Sequence, residues 1–214
     1  MDREVSEAAP PGEGSLAGKR QQNAIRNRNA ILQAAREVFC ELGYGAATVR
    51  DIIRRTDLAT GTFYNYFPDK QAVLRVLVED FHRELRRRVH EARASASTFE
   101  EMLRSAFGAC FRFFVEDEVI LSLMMRNAGE IFELTSATAL EPAVEELALD
   151  LAAKAREGVG PAIDSPYLAP AMVAVATELA FRIVRQEPAD VEGATEFATA
   201  LFLGGVERLR EGAS

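Results

Sequence analysis

The sequence predicts an all-α protein, and three observations support this prediction. Apolar residues recur at i, i+3, i+4 and i+7 spacing through most of the 214 residues, as in Ile31, Ala35 and Val38. Several of these stretches open with a capping residue or close with a glycine, as helices do. The sequence lacks the alternating Val, Ile and Thr runs, bounded by turn residues, that predict strands.

The first predicted helices are one long and two short. The long helix covers residues 20–42 and stops at Gly43. Thr48 and Asp51 form a capping-box pattern that opens a short helix to about residue 55. After a tight connection, a second short helix covers about 60–66.

The remaining predicted helices are longer. Asp69 caps a helix that runs to about residue 90, and Thr98 with Glu101 forms a second capping-box pattern. Further helices are predicted at 99–115, 118–127, 141–157, 166–186 and 191–210. Ser165 and Pro166 suit the N-cap and first position of the helix at 166–186.

Charge is distributed unevenly along the chain. The formal net charge of −8 argues against a histone-like nucleic-acid coat. Residues 1–18 carry −3, residues 19–75 carry +5 and residues 76–214 carry −10. This pattern predicts a disordered acidic tail (1–18), a small basic domain (19–75) and a large acidic helical domain (76–214).

Other classes are excluded by composition. Charges interrupt every apolar run before it reaches the ~20 residues of a membrane span, so no membrane partner is expected. The N-terminus has no basic start and apolar run of a signal peptide, and two cysteines make neither a metal-ligand spacing nor a disulfide framework. These features predict a cytoplasmic protein without metal or cofactor.

The two short helices, preceded by a longer one, have the layout of a helix-turn-helix. In that motif the second short helix enters the major groove of DNA. Residues 59–67 place small and hydroxyl residues first and aromatic residues with polar tips afterwards. Small residues let the backbone approach DNA closely, and hydroxyls can donate to phosphates. Phe63 and Phe67, four residues apart, are expected to face inward.

At these residues the sequence resembles the TetR family of dimeric, ligand-responsive transcriptional regulators. The resemblance extends to Leu77, covers about a quarter of the chain, and is densest in the phrase GTFYNYFPDK at residues 61–70. It implies an N-terminal three-helix helix-turn-helix domain that binds operator DNA, followed by a larger helical domain for effector binding and dimerisation. Two residues depart from the family pattern, since Ala59 replaces a common capping Ser and Asp57 a common turn Gly.

The resemblance also implies roles by position. Arg50 is expected to reach a base edge, because arginine pairs with guanine through two hydrogen bonds, and Thr60 is expected to read bases. Lys19, Arg20, Arg26 and Arg28 could form a basic arm that adds sequence-independent affinity. The full predicted DNA-binding set is Thr48, Arg50, Thr60, Gly61, Thr62, Tyr64, Asn65, Tyr66 and Lys70.

The large domain concentrates apolar bulk between residues 107 and 132. Four phenylalanines fall within eight residues, beside a methionine pair. Ordinary core packing explains each residue alone, but together they could line an apolar cavity for a lipophilic effector. A long-chain acyl compound, an aromatic or a hydrophobic drug would each fit. The predicted effector-binding set is Phe107, Phe111, Phe114, Met124, Met125, Arg126, Phe132, Met172 and Phe181; Asn127 and Glu130 could help to orient a polar head group.

The last two long helices predict a homodimer. Residues 172–184 and 197–209 present apolar faces, and Gly204 with Gly205 would allow another helix to approach closely. Internal packing is the alternative use of these faces. Dimerisation also follows from the task, because one helix-turn-helix reads too few base pairs.

Two other functions are less consistent with the sequence. An enzyme is disfavoured, because the only histidines, His82 and His90, suit a solvated helix face and no nucleophile or phosphate motif occurs. A DNA-bending protein would have no need of a large acidic domain with a Phe/Met cluster. The sequence therefore predicts a DNA-binding regulator, most simply a repressor released by its effector; activation stays open.

Overall fold

The computed structural model describes residues 13–116, 123–127, 129–131, 140–160 and 166–211. The long helices and the two short ones, labelled in chain order, are α1 (Glu13–Leu42), α2 (Val49–Ile53), α3 (Thr60–Phe63), α4 (Lys70–Ala94), α5 (Phe99–Glu116), α6 (Glu141–Arg156), α7 (Leu168–Ile183) and α8 (Val191–Glu211). Residues 123–126 and 129–131 are also helical. The described residues contain no strand, which confirms the predicted all-α class.

Several boundaries differ from the prediction. α1 begins at Glu13, inside the segment predicted as a tail, and residues 1–12 lie outside the described chain. α3 ends at Phe63 and continues as turns to Tyr66. The predicted helix at 118–127 is described only at 123–127, where it is helical to residue 126.

α7 begins at Leu168 with Tyr167 as its N-cap, rather than at Pro166. Pro170 explains the later start. A helix beginning at Pro166 would place Pro170 in its second turn, where the backbone N–H is needed for a hydrogen bond. Beginning at Leu168 keeps Pro170 in the first turn, where that N–H is dispensable. Ser165 lies outside the described residues.

Local capping chemistry sets the starts of α2 and α4 as predicted. Thr48 and Asp51 form the reciprocal capping box of α2, and the Thr48 hydrogen bond lowers the pKa of Asp51. Asp69 Oδ1 accepts from the Ala72 N–H at 2.8 Å at the start of α4. α1 ends at Leu42, and the φ of +78° at the following Gly43 lies in the left-handed region that glycine tolerates best.

One continuous hydrophobic core joins the two ends of the molecule. α5 lies at its centre and packs against α4, α7 and α8. Phe113 and Phe114 contact Phe81 of α4, with ring centroids 5.1 and 5.4 Å away. Phe107, also on α5, stacks on Phe202 of α8 with the ring centroids 5.7 Å apart.

α4 connects the two predicted domains. Its 25 residues run without interruption across the predicted boundary at 75/76. At 1.5 Å per residue the helix is about 37 Å long. Its first turn therefore lies beside the helix-turn-helix while its last turns lie in the large domain. In the described part of the chain, no helix is both long and apolar enough to cross a membrane.

Candidate DNA-binding surface and ligand cavity

The helix-turn-helix turns a compact reading surface outward. Phe63 and Phe67 are buried, as predicted, and hold α3 against the core. Tyr64 is 59% exposed, with its ring edge-to-face on Phe63. Arg50, Thr60, Gly61 and Asn65 are also exposed, and Thr62 is half-buried. Open space surrounds Gly61, so another backbone could approach closely there.

Three arginines of this region differ in whether they form ion pairs within the protein. Arg55 pairs with Glu41 and lies 3.6 Å from Glu37, which ties it to α1. Arg50 and Arg54 are exposed and form no ion pair with the described residues. They are therefore available to a phosphate or a base edge, whereas Arg55 serves the packing of the domain.

Three predicted DNA-binding side chains are engaged within the protein. Thr48 caps α2. The Tyr66 hydroxyl accepts from Asn27 Nδ2 at 3.3 Å. Lys70 Nζ donates to the carbonyls of Tyr44, Gly45 and Ala47 at 2.7, 3.3 and 2.8 Å, and it lies 4.4 Å from the centre of the Tyr44 ring. In this structure Lys70 holds the turn between α1 and α2.

The sequence of this helix-turn-helix matches a known protein family. Residues 31–77 match the family described as bacterial regulatory proteins, tetR family. Over 205 residues the chain is 28% identical to the HTH-type transcriptional repressor KstR of Mycobacterium tuberculosis, covering 94% of this chain and 90% of that protein. Residues 31–77 therefore form a DNA-binding domain of the TetR family. The chain is a DNA-binding transcriptional regulator and not an enzyme.

Solved structures share the fold of this chain. The fatty acid degradation regulator FadR of Bacillus halodurans superposes with a TM-score of 0.67 at 22% identity, over 84% of this chain and 95% of that one. FadR of Bacillus subtilis in complex with stearoyl-CoA gives 0.66 at 21% identity, over 83% and 98%. At these identities the likeness establishes the arrangement of the helices.

The part of the regulator that follows the helix-turn-helix contains an apolar cavity of about 100 Å³, which is partly open to solvent. Helices α4, α5, α6 and α7 all contribute to its wall. The lining includes Leu85 and Val89 of α4, Met102, Phe107 and Cys110 of α5, Leu147 of α6, and Met172 and Thr177 of α7. An engineered cavity of about 150 Å³ holds one benzene. A ligand of acyl or polycyclic size would therefore either extend out of the cavity or push these helices apart.

The predicted effector set divides between this cavity and other places. Phe107 and Met172 line the cavity. Phe111 and Phe114 are buried but do not line it, and the Phe181 ring packs against Phe114 at 5.8 Å. Met124 is buried away from the cavity lining, and Phe132 lies outside the described residues. Most of the phenylalanine cluster thus belongs to the core around α5.

Charged groups border one side of the cavity. Arg93 is buried and its guanidinium bonds to Glu146 at 3.3 Å and Asp150 at 2.6 Å. The His90 imidazole lies 3.1 Å from the same glutamate, which brings three potential metal-ligating side chains together. Because Arg93 contacts both carboxylates and Arg86 lies 4.0 Å from Glu146, the arrangement is an ion-pair network between α4 and α6.

The segment 123–131 lies against the helix-turn-helix and not against the cavity. Met125 is exposed, and Arg126 Nη1 donates to the Cys40 carbonyl at 3.1 Å. Asn127 is fully buried and bonds to Tyr44 and Phe39. Sequence reasoning offered Asn127 to a ligand and missed this junction. Gly43 was the available indication of this junction, because it marks a turn after α1 whose packing partner the sequence does not identify.

Proposed function

We propose that this regulator is a homodimeric transcriptional repressor, which binds operator DNA and is released by a lipophilic effector in the cavity between α4 and α7. One observation carries the proposal. The same helix, α4, lines the cavity with Leu85 and Val89 and holds the α1–α2 turn through Lys70. Displacement of its distal half by a ligand would therefore move the DNA-reading domain.

The DNA-binding face of the proposal rests on exposure and charge. Arg50, Thr60, Gly61, Tyr64 and Asn65 share the exposed face of the helix-turn-helix, and residues 19–75 carry a net charge of +5. Of the other predicted residues, Thr48, Tyr66 and Lys70 have partners within the protein, and Thr62 is half-buried. The direction of regulation is supported by KstR, whose name is that of a repressor.

The effector class is supported by the lining and by one structural neighbour. The described walls are almost entirely apolar, and FadR of Bacillus subtilis was solved with stearoyl-CoA. A ligand shifts an equilibrium only by its different affinities for the two states. An effector larger than the present cavity favours the state with separated helices, which supplies that difference.

The homodimer is proposed to form through α7 and α8. An apolar groove between these helices includes Leu168, Val175, Leu201 and Leu209, and the side chain of Leu201 is 48% exposed. Open space surrounds Gly204 and Gly205, so a second helix can approach closely. Two copies would present two helix-turn-helix domains, the reading heads of the dimer, to two DNA half-sites about 34–36 Å apart.

A binding assay tests the proposal. The wild-type protein selects a duplex from random DNA, and its affinity for that duplex is measured by fluorescence anisotropy with and without each member of a panel of acyl-CoAs, free fatty acids and aromatic hydrocarbons. We expect a selected palindrome and at least tenfold weaker binding with one probe class. Failure to select any sequence would refute operator binding, and insensitivity to every probe would refute the effector class.

A further inference from the structure

The turn between α1 and α2 is held from two directions. From one side, Lys70 of α4 donates to the carbonyls of Tyr44, Gly45 and Ala47. From the other side, the backbone N–H of Tyr44 donates to Asn127 Oδ1 at 2.5 Å. The turn thus has one attachment to the connecting helix and a separate attachment to the large domain.

Asn127 makes this second attachment with its whole side-chain amide. Its Nδ2 donates to the Leu123 carbonyl at 2.8 Å, within its own helical segment, and to the Phe39 carbonyl of α1 at 3.4 Å. The residue is 0% exposed. Water therefore cannot replace these bonds while the two parts stay packed, so the bonds to Tyr44 and Phe39 depend on the relative position of the two parts.

The surroundings favour a tight fit at the junction. A Cβ on Gly43 would lie 3.9 Å from Asn127 Oδ1 and 3.6 Å from Arg126 Nε, and Gly45 lies beside Glu130. The neighbouring Arg126 bonds to Cys40 from an exposed position. Asn127 is the buried member of this contact, and its amide accepts from the turn and donates to α1.

We propose that Asn127 is a positioning residue for DNA recognition, which fixes the orientation of the helix-turn-helix on the large domain and thereby the spacing of the two reading heads in the dimer. This inference rests on the proposed homodimeric operator binding. α4 and the shared apolar core connect the helix-turn-helix to the large domain. Asn127 adds buried, directional hydrogen bonds at the end of α1, which restrict rotation of the helix-turn-helix about α4.

The consequence for specificity is geometric. Each base pair inserted between half-sites moves them apart by about 3.4 Å and rotates one relative to the other. A rigid dimer cannot follow this change, whereas a dimer with loosely attached heads can. Asn127 therefore acts on the discrimination between spacings, while the surface that reads each half-site is untouched.

The test compares Asn127→Leu, which keeps a similar side-chain size without hydrogen bonds, with Met125→Ala, an exposed change in the same segment. Anisotropy is measured on the duplex selected by the wild type, on the same duplex with two base pairs inserted at its centre, and on a single half-site. We expect the insertion to weaken wild type and Met125→Ala at least 100-fold, and Asn127→Leu at most tenfold. Half-site affinity should agree within twofold for all three.

Circular dichroism establishes that each variant is folded, and Asn127→Asp replaces Asn127→Leu if the latter is not. The aspartate keeps an acceptor for Tyr44 but cannot donate to Phe39 and Leu123 when ionised, so its insertion penalty should also fall below that of the wild type. A folded variant at position 127 with the wild-type insertion penalty overturns the inference. A wild type that itself ignores the insertion, or selects no duplex, instead contradicts the proposed dimeric operator binding.

Discussion

At the scale of single residues, the helix-turn-helix separates side chains that face outward from side chains that hold the motif together. Arg50 and Tyr64 are exposed, whereas Arg55 and Lys70 are bound within the protein. All four lie in the same basic region of the sequence. Charge and motif position predict that such residues contact DNA. Only their partners in the structure distinguish a side chain that can contact DNA from one that stabilises the motif.

Arg50→Ala should weaken binding to the selected operator about 10- to 100-fold, because a bidentate arginine–guanine pair contributes roughly 1–3 kcal/mol of discrimination. The matched control is Arg83→Ala, which removes the same charge from an exposed position on α4. Anisotropy at fixed salt concentration measures both. Equal operator affinities for the two variants would show that Arg50 does not contact a base.

Lys70→Met tests the role of the three carbonyl contacts. If Lys70 holds the turn, the variant should melt at lower temperature and bind operator more weakly, while the slope of log affinity against log salt concentration stays unchanged. A lost phosphate contact would instead reduce that slope by about 0.9. Thermal denaturation and a salt titration together separate the two roles. An unaltered melting temperature with a reduced slope would assign Lys70 to phosphate.

At the scale of elements, the starts of α2, α4 and α5 could be predicted because a cap depends on residues three positions apart. Thr48, Asp69 and Thr98 cap these helices as their patterns indicate. The use of the phenylalanine cluster could not be predicted in the same way. Phe107 and Phe114 share one face of α5, but their ring partners Phe202 and Phe181 are distant in sequence. A pattern on one helix therefore does not distinguish a filled core from a cavity.

The cavity between α4 and α7 can be tested without a known effector. Ala143 of α6 lines it, and Ala143→Leu adds three carbon atoms to the empty space. Cavity filling commonly stabilises a protein by about 0.5–2 kcal/mol. We expect a higher melting temperature than for Ala152→Leu, an exposed site on the same helix, and loss of any thermal shift caused by a probe that stabilises wild type. A retained shift would place the probe elsewhere.

At the scale of the whole molecule, the chain is a basic head on an acidic body, with +5 on residues 19–75 and −10 on residues 76–214. This arrangement favours DNA contact through one face and discourages it elsewhere. The proposed dimer would place two such heads side by side. The apolar groove of α7 and α8, distant from the head in sequence, is then essential to operator affinity.

Leu201→Glu should convert the dimer to a monomer, because it places a charge in the apolar groove. Size-exclusion chromatography with light scattering gives the mass, and operator affinity should fall to that of a single half-site. Ala152→Glu adds the same charge to an exposed position of α6 and should leave both unchanged. A Leu201→Glu protein that remains dimeric would exclude this groove as the interface.

The two cysteines lie at opposite ends of the proposed communication route. Cys110 lines the cavity, and burial raises the pKa of its thiol to about 12, so it stays protonated and unreactive while the helices are closed. Cys40 lies at the end of α1, where its carbonyl accepts from Arg126. The native protein therefore carries two chemical reporters. The rate of thiol alkylation at each position follows the opening of one end, so a single labelling time course can show whether cavity and junction open together.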